Sequence, residues 1–307
     1  MVTVLLATYN GSRFLTEQIN SLLSQTVKDI KILVHDDGSK DGTREIIDRY
    51  VALFPNRIYR IEAEPTGSAC KNFAFLLSKC NTEYIMFCDQ DDVWNENKVE
   101  LTLKAMNEAE QQYGADTPIL VHSDLSVVNE NLEVVDDSFF HFQGLDASKV
   151  SLPHLLVQNY VTGCTMMINK PLHDIAGEIP GECAMHDWWL ALVAALFGQI
   201  VFVNRPLMLY RQHSGNEVGA KSSHGISYIV RKIRSLGEVQ SNYMKTYIQA
   251  RLLRQRFSGK LTHKNQKILN AYCNMSEVGK IGRIRIMRQY DFKKSTTLRV
   301  IGQYFLI

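Results

Sequence analysis

The sequence predicts an α/β protein: a doubly wound, Rossmann-like and mostly parallel sheet flanked by helices, with a basic helical extension at its C-terminal end. Three observations predict it. Through the first third of the chain, short apolar runs of strand length alternate with amphipathic stretches of helical spacing. Polar and acidic residues gather directly behind those runs, at the strand ends where such sheets bind ligands. Beyond about residue 222 the apolar runs give way to a helical, basic pattern.

Taken in order, VTVLLA (2–7) reads as a buried strand, and residues 13–24 place Phe14, Ile19, Leu22 and Leu23 on one helical face. IKILVH (30–35) is a second strand, followed by a polar turn and a helix through Ile46, Ile47 and Tyr50. Arg57 to Ile61 suits a third strand, residues 70–80 a helix, and YIMFC (84–88) the next strand. From about 95 to 215 the pattern is mixed. LVHSDLSVVN (120–129) is strand-like, 151–159 helical, and VTGCTMMIN (161–169) a strand entered through a glycine.

The 307 residues are 45% hydrophobic and 21% charged, enough for a sizeable core. Six cysteines form no CxxC pair and no metal-like cluster, so reduced thiols are expected rather than a disulfide framework. The opening MVTVLLATYN lacks a basic leader and is too short in apolar residues for a signal peptide. The longest apolar stretch, Trp188 to Val203, is broken by Gly198 and Gln199 and falls short of the roughly 20 residues of a membrane span. Charge is unevenly placed. Residues 221–307 carry 18 Lys and Arg against three acids, which leaves 16 bases against 29 acids before them. The division predicts a domain over 1–220 and a basic helical region over 221–307 that faces an anionic partner.

The densest chemical signal is YIMFCDQDDVW (84–94), where Asp89, Asp91 and Asp92 follow a buried strand. Mutual repulsion is tolerable if a hard cation sits among them, and Mg²⁺ or Mn²⁺ takes carboxylate oxygens together with substrate phosphates. Asp89 and Asp91 are placed to point one way; Asp92 faces elsewhere and suits a helix cap. The plain alternative is an acidic turn. HDDGSKDGT (35–43) adds Asp36 and Asp37 before a turn, able to accept from a nucleobase or ribose or simply to open a helix, with Ser39 and Asp41 as caps. ATYNG (7–11) sets Tyr9 where a ring could lie against a base.

ATYNG, DDGSKDGT (36–43), GSACKN (67–72) and CDQDDVW (88–94), in that order and spacing, resemble the family-2 glycosyltransferases of GT-A fold. GCTMMIN (163–169), MHDWW (185–189) and LYRQH (209–213) extend the resemblance over about residues 1–220. MHDWW, YRQH and GAK (219–221) look like bacterial rhamnosyltransferases of cell-wall and O-antigen polysaccharides. The resemblance implies that the Ala7 backbone, Tyr9 and Asp37 hold the base and that Lys71 lies near base or phosphate. It implies that Asp89 and Asp91 form the metal and diphosphate site, completed by His213, and that Asp187 is the catalytic base. Many relatives have Glu-Asp where this chain has His186 and Asp187.

That chemistry needs a stabilised leaving diphosphate and an activated acceptor hydroxyl. A metal on the carboxylates supplies the first. Arg211 is a candidate helper, because a guanidinium matches phosphate geometry. Asp187 supplies the second as general base, or else only caps the helix beginning at Trp188. A single in-line displacement inverts the anomeric centre. Trp188 and Trp189 are candidate walls of an acceptor pocket, with the core as the alternative. Cys164 has no base beside it and is not read as a nucleophile.

The implied donor is dTDP-rhamnose, with a UDP-hexose as the alternative, and the implied acceptor is a saccharide on a lipid carrier. Residues 280–299 (KIGRIRIMRQYDFKKSTTLR) interleave Ile and Met with bases and suit an anionic membrane surface on the cytoplasmic side; the alternative is a solvated face. No recognition motif accompanies the charge, so nucleic acid is not expected. A sugar nucleotidyltransferase would need a Gly-rich phosphate loop, which ATYNGSRF is not. A non-catalytic binding subunit on the same fold would not need Asp89, Asp91, Asp187 and His213 together.

Overall fold

The computed structural model describes residues 1–213 and 236–306. The GAK motif and the proposed boundary at 220 lie outside the described residues.

The chain starts with three βα units: β1 (Val2–Thr8), α1 (Leu15–Leu23), β2 (Ile30–Asp36), α2 (Thr43–Leu53), β3 (Ile58–Arg60) and α3 (Ala69–Ser78). Then come β4 (Tyr84–Cys88), a two-residue β5 (Val93–Trp94) and α4 (Lys98–Tyr113). The strands lie in one sheet ordered β3-β2-β1-β4-β8-β6-β9-β5, where β6 is Ile119–Val128, β8 Met166–Asn169 and β9 Gln199–Arg211. β7 (Val134–Asp136) pairs with β6 off this path. β3, β2, β1 and β4 are all parallel, whereas β8 runs antiparallel to both β4 and β6. β1 is flanked by β2 on one side and β4 on the other, so the ends of these three strands open onto one crevice.

Alternation along each strand builds two cores. In β1, Leu5 and Ala7 face one core while Val2, Val4 and Leu6 face the other. In β4, Ile85 and Phe87 divide from Met86 and Cys88 in the same way. Helices cover both faces, so these strands read as continuous apolar runs.

α5 (Phe139–Gln143), α6 (Leu152–Val157) and α7 (Lys170–Ala176) are short, and α8 (His186–Phe197) is buried almost all round. The apolar stretch from Trp188 to Val203 is therefore helix α8 followed by strand β9. Gly198 makes the break: a Cβ there would collide with the Pro118 carbonyl. The expected strand over 161–169 is shorter than its pattern, because Gly163–Thr165 forms a 3₁₀ turn before β8.

The C-terminal helices are α9 (Leu236–Arg256), α10 (His263–Asn274), α11 (Lys280–Tyr290) and α12 (Thr297–Leu306). Tyr247, Ala250, Leu253, Leu269, Tyr272, Met287 and Phe292 share one apolar core with Phe87 and Trp189. Each large apolar side chain among them contributes about 1.5–3 kcal/mol through burial. The basic region is thus packed onto the sheet's own core.

Candidate active site

The crevice has three walls. The first follows β1 and β2. Tyr9 is 55% exposed. Its backbone N–H donates to Gln90 Oε1 at 2.8 Å and its carbonyl accepts from Gln90 Nε2 at 2.8 Å. This clamp leaves the ring outside, and it needs Gly11, because a Cβ there would strike the Gln90 amide. Asp37 is buried, and its carboxylate accepts from the N–H groups of Thr66 and, at 2.9 Å, Gly67. Gly67 turns the chain with φ +83°. Asp36 points elsewhere, to Thr8, Ser39 and Arg44. Burial pushes its carboxyl up, but the Arg44, Ser39 and Thr8 hydrogen bonds outweigh this and hold it below 3.8. Lys71 is exposed on the first turn of α3, with Ser68 as helix cap.

The second wall follows β4. Asp91 Oδ2 lies 2.7 Å from His213 Nε2, which brings two expected metal ligands together from 122 residues apart. Asp89 groups with Asp92: an oxygen of each and the Cys164 sulfur lie within 4.8 Å of one another. The helix-cap expectation for Asp92 is overturned. α4 begins six residues later, and Asp92 Oδ1 accepts from the Arg211 N–H at 3.1 Å while Oδ2, fully buried, has no hydrogen-bond partner. Burial, with Asp91 and Asp89 beside it, pushes the Asp92 carboxyl well up.

Lys98 answers this charge from below. Its side chain is wholly buried, and Nζ donates to the Cys164 carbonyl at 2.5 Å and sits 3.6 Å from the Trp94 ring centre. Burial brings its ammonium down to about 8. The sequence reading missed Lys98. The available signal was a lone lysine between Trp94 and the inward Val99 and Thr102.

Arg211 lies beneath the Asp91 loop. It is 2% exposed, donates to the carbonyls of Asp91 at 2.8 Å and Glu130 at 2.7 Å, pairs with Glu17, and lies 4.4 Å from the Phe14 ring centre. A guanidinium so engaged fixes the Asp91 loop to β9.

The third wall is the start of α8. Asp187 is buried, accepting from the Gly163 N–H at 3.0 Å and its neighbour Trp188 N–H at 2.5 Å. Burial raises its carboxyl above 3.8. Gly163 permits this approach: a Cβ there would meet His186 Nε2 at 3.0 Å and Asp187 Cβ at 3.5 Å. The His186 ring packs between Phe73 and Phe87, at 4.3 and 5.3 Å between centroids. Trp188 is half-buried, with Nε1 donating to the Leu155 carbonyl at 2.5 Å. Trp189 cannot wall a pocket here; it has no exposed surface and belongs to the core.

One dipeptide joins the second and third walls. Gly163 holds Asp187, while Cys164 touches the Asp89–Asp92 group with its sulfur and Lys98 with its carbonyl.

Residues 3–171 match the family model described as glycosyl transferase family 2. The chain belongs to glycosyl transferase family 2. Among its relatives, dTDP-rhamnosyl transferase RfbG of Shigella flexneri is 29% identical, over 78% of this chain and 81% of that protein. Glycosyltransferase GlyG of Streptococcus pneumoniae is 27% identical over 70% and 72%. S. aureus TarS in complex with UDP-GlcNAc superposes with a TM-score of 0.58 at 17% identity, covering 94% of this chain and 80% of that one. The mannosyltransferase PcManGT of Pyrobaculum calidifontis, in complex with GDP-Man and Mn²⁺, gives 0.55 at 16% identity, covering 99% and 79%. These structures share the GT-A fold with this family-2 glycosyltransferase. Among its described residues, no helix is long and apolar enough to cross a membrane.

Proposed function

We propose that this family-2 glycosyltransferase is metal-dependent and inverting, and that it moves L-rhamnose from dTDP-rhamnose to a saccharide acceptor on a lipid carrier in bacterial surface-polysaccharide synthesis. The observation that carries the reading is the Gly163–Cys164 dipeptide, which ties a buried carboxylate to an acidic cluster. A base and a leaving-group site must lie on opposite sides of one anomeric carbon, and this link holds the two in fixed relation.

The donor set fits a hard divalent ion. Carboxylates of Asp89 and Asp91 with His213 are oxygen and nitrogen donors, Asp92 keeps an orphaned buried oxygen, and the Cys164 thiol is pushed up by burial and stays neutral. Asp89, Asp91 and His213 would hold Mg²⁺ or Mn²⁺, which supplies charge neutralisation at the departing diphosphate. The chain's own groups do the rest. Tyr9 stacks on the base, the Ala7 backbone and Asp37 face its edge, and Lys71 reaches the donor from α3. Asp187 takes the acceptor proton, and the uncovered part of Trp188 borders the acceptor.

Asp37 does not choose between dTDP and UDP, because thymine and uracil carry the same imide N–H. The dTDP-rhamnose assignment therefore leans on the named Shigella relative. The test is a panel of dTDP- and UDP-sugars with Mg²⁺ or Mn²⁺ and candidate acceptors. We expect nucleoside diphosphate release from dTDP-rhamnose and a product of inverted anomeric configuration by NMR. Turnover only with a UDP-hexose would move the donor assignment; pyrophosphate release or a retained anomer would sink the mechanism.

We place the enzyme in the cytoplasm, peripheral on the inner face of the membrane. On α11 and α12, Ile281 is 81% and Phe305 76% exposed, and Lys280 Nζ reaches the Phe305 carbonyl at 3.2 Å, so apolar side chains are exposed on helices rich in bases. Vesicles containing phosphatidylglycerol should sediment the protein at low salt and release it at high salt. Ile281→Ser with Phe305→Ser should weaken the binding; equal binding to neutral vesicles would contradict the assignment.

A further inference from the structure

Two cysteines that the transfer chemistry does not use lie side by side under the candidate base. Cys70 sits in the first turn of α3 and Cys183 in the loop before α8, and their sulfurs are 3.6 Å apart across 113 residues of sequence. Cys183 is buried and Cys70 half-buried, so an oxidant reaches the pair from the Cys70 side. Cys70 also faces His186, the first residue of α8. A thiol at a helix start, hydrogen-bonded to a second thiol, is set up as a thiolate. The Cys183 thiol hydrogen-bonded to it, aided by His186, outweighs burial and holds the Cys70 thiol down at about 5, while Cys183 is pushed up and keeps its proton. The other four cysteines are buried, and burial pushes up the thiols of Cys88, Cys164 and Cys273.

We infer that Cys70 and Cys183 form a reversible disulfide that displaces the start of α8, and with it Asp187, so that oxidation by a peroxide switches the site off. In the first step the Cys70 thiolate attacks a peroxide oxygen, the O–O bond breaks, and hydroxide leaves with Cys70 as a sulfenic acid. In the second the Cys183 sulfur displaces the sulfenic hydroxyl, which departs as water with the Cys183 proton. Two thiols lose two electrons, and hydrogen peroxide becomes two waters. Closing the sulfurs from 3.6 Å to the bonded distance of about 2.05 Å draws the loop before α8 towards α3. Asp187 stands four residues beyond Cys183, and the Lys71 stem runs along the same loop, 4.0 Å from where a Cβ on Gly181 would lie. A shift of about 1 Å in a reacting group costs on the order of 10²-fold in rate.

The bond and the movement stand on geometry alone; the effect on turnover rests on the transferase reading. The test treats the reduced full-length protein with hydrogen peroxide and then dithiothreitol. It follows bridged peptides by mass spectrometry, tryptophan fluorescence, to which Trp188 and Trp189 at the start of α8 contribute, and donor turnover. Expected are a Cys70–Cys183 bridge, a fluorescence change and a fall in turnover on the order of 10²-fold, all reversed by dithiothreitol. Cys70→Ser and Cys183→Ser should keep basal turnover and lose the reversible response. Absence of the bridge, or a bridge with unchanged fluorescence and turnover, would overturn the inference. A protein that bridges and changes fluorescence yet never turns over any donor supports the thiol switch and counts against the transferase reading instead.

Discussion

Asp187→Asn is expected to lower turnover by about 10²–10⁴-fold while leaving donor binding in place. The carboxylate is held by two backbone N–H groups, those of Gly163 and Trp188, so its position does not depend on the charge it loses. An amide oxygen keeps one of these bonds, and the other is worth about 1 kcal/mol, so the melting temperature should move by only a few degrees. A collapse of turnover without a collapse of stability separates a base from a helix cap. The pH profile gives a second reading. Burial raises the Asp187 carboxyl above 3.8, and only the ionised form accepts a proton. Turnover should therefore fall as pH drops through that raised value, so the acid limb lies above the ordinary aspartate range. Isothermal titration with the donor and a pH–rate series check both. Full activity in Asp187→Asn would remove the base assignment.

The chain order of strands and helices was legible because each buried strand is a short apolar run and the turns between them are polar. What failed was length and partnership. β9 hid inside an apolar stretch that joins it to α8, since a helix buried all round and a strand buried on both faces have the same composition. Sheet order was not readable past β4, because β8 reaches β4, and β9 reaches β6, across about 80 residues of chain. At the site, motif residues were found at the ends of strands, but which of them face the crevice depends on partners elsewhere. Arg211 reads as a phosphate ligand in the sequence, but in the fold it also bonds Glu17 and the carbonyls of Glu130 and Asp91. Asp92 looked like a cap until β9 supplied the Arg211 N–H. Lys98, carrying no motif chemistry of its own, became visible only when Cys164 and Met208 closed around it.

The acidic cluster gives the second large effect, and its sign differs between stability and turnover. Without a cation, Asp89, Asp91 and Asp92 repel one another, and Lys98 and the Asp91–His213 contact offset only part of this. Asp89→Asn should therefore leave the metal-free protein as stable as the parent or slightly more so. Bound Mg²⁺ or Mn²⁺ reverses the comparison. At about 100 times its dissociation constant a ligand adds about 2.7 kcal/mol to the folded state, so the parent's melting temperature should rise with metal while that of Asp89→Asn and of Asp91→Asn rises much less. Turnover should fall in both by about 10²–10³-fold, the cost of removing one preorganised charge-stabilising group at a leaving oxygen. Chelation should bring the parent to the same low rate, and added Mn²⁺ should restore the parent alone. A cluster that served only as an acidic turn would show neither the metal-dependent rise in melting temperature nor the loss on chelation. Thermal shift with and without metal therefore tests the site independently of any knowledge of the acceptor.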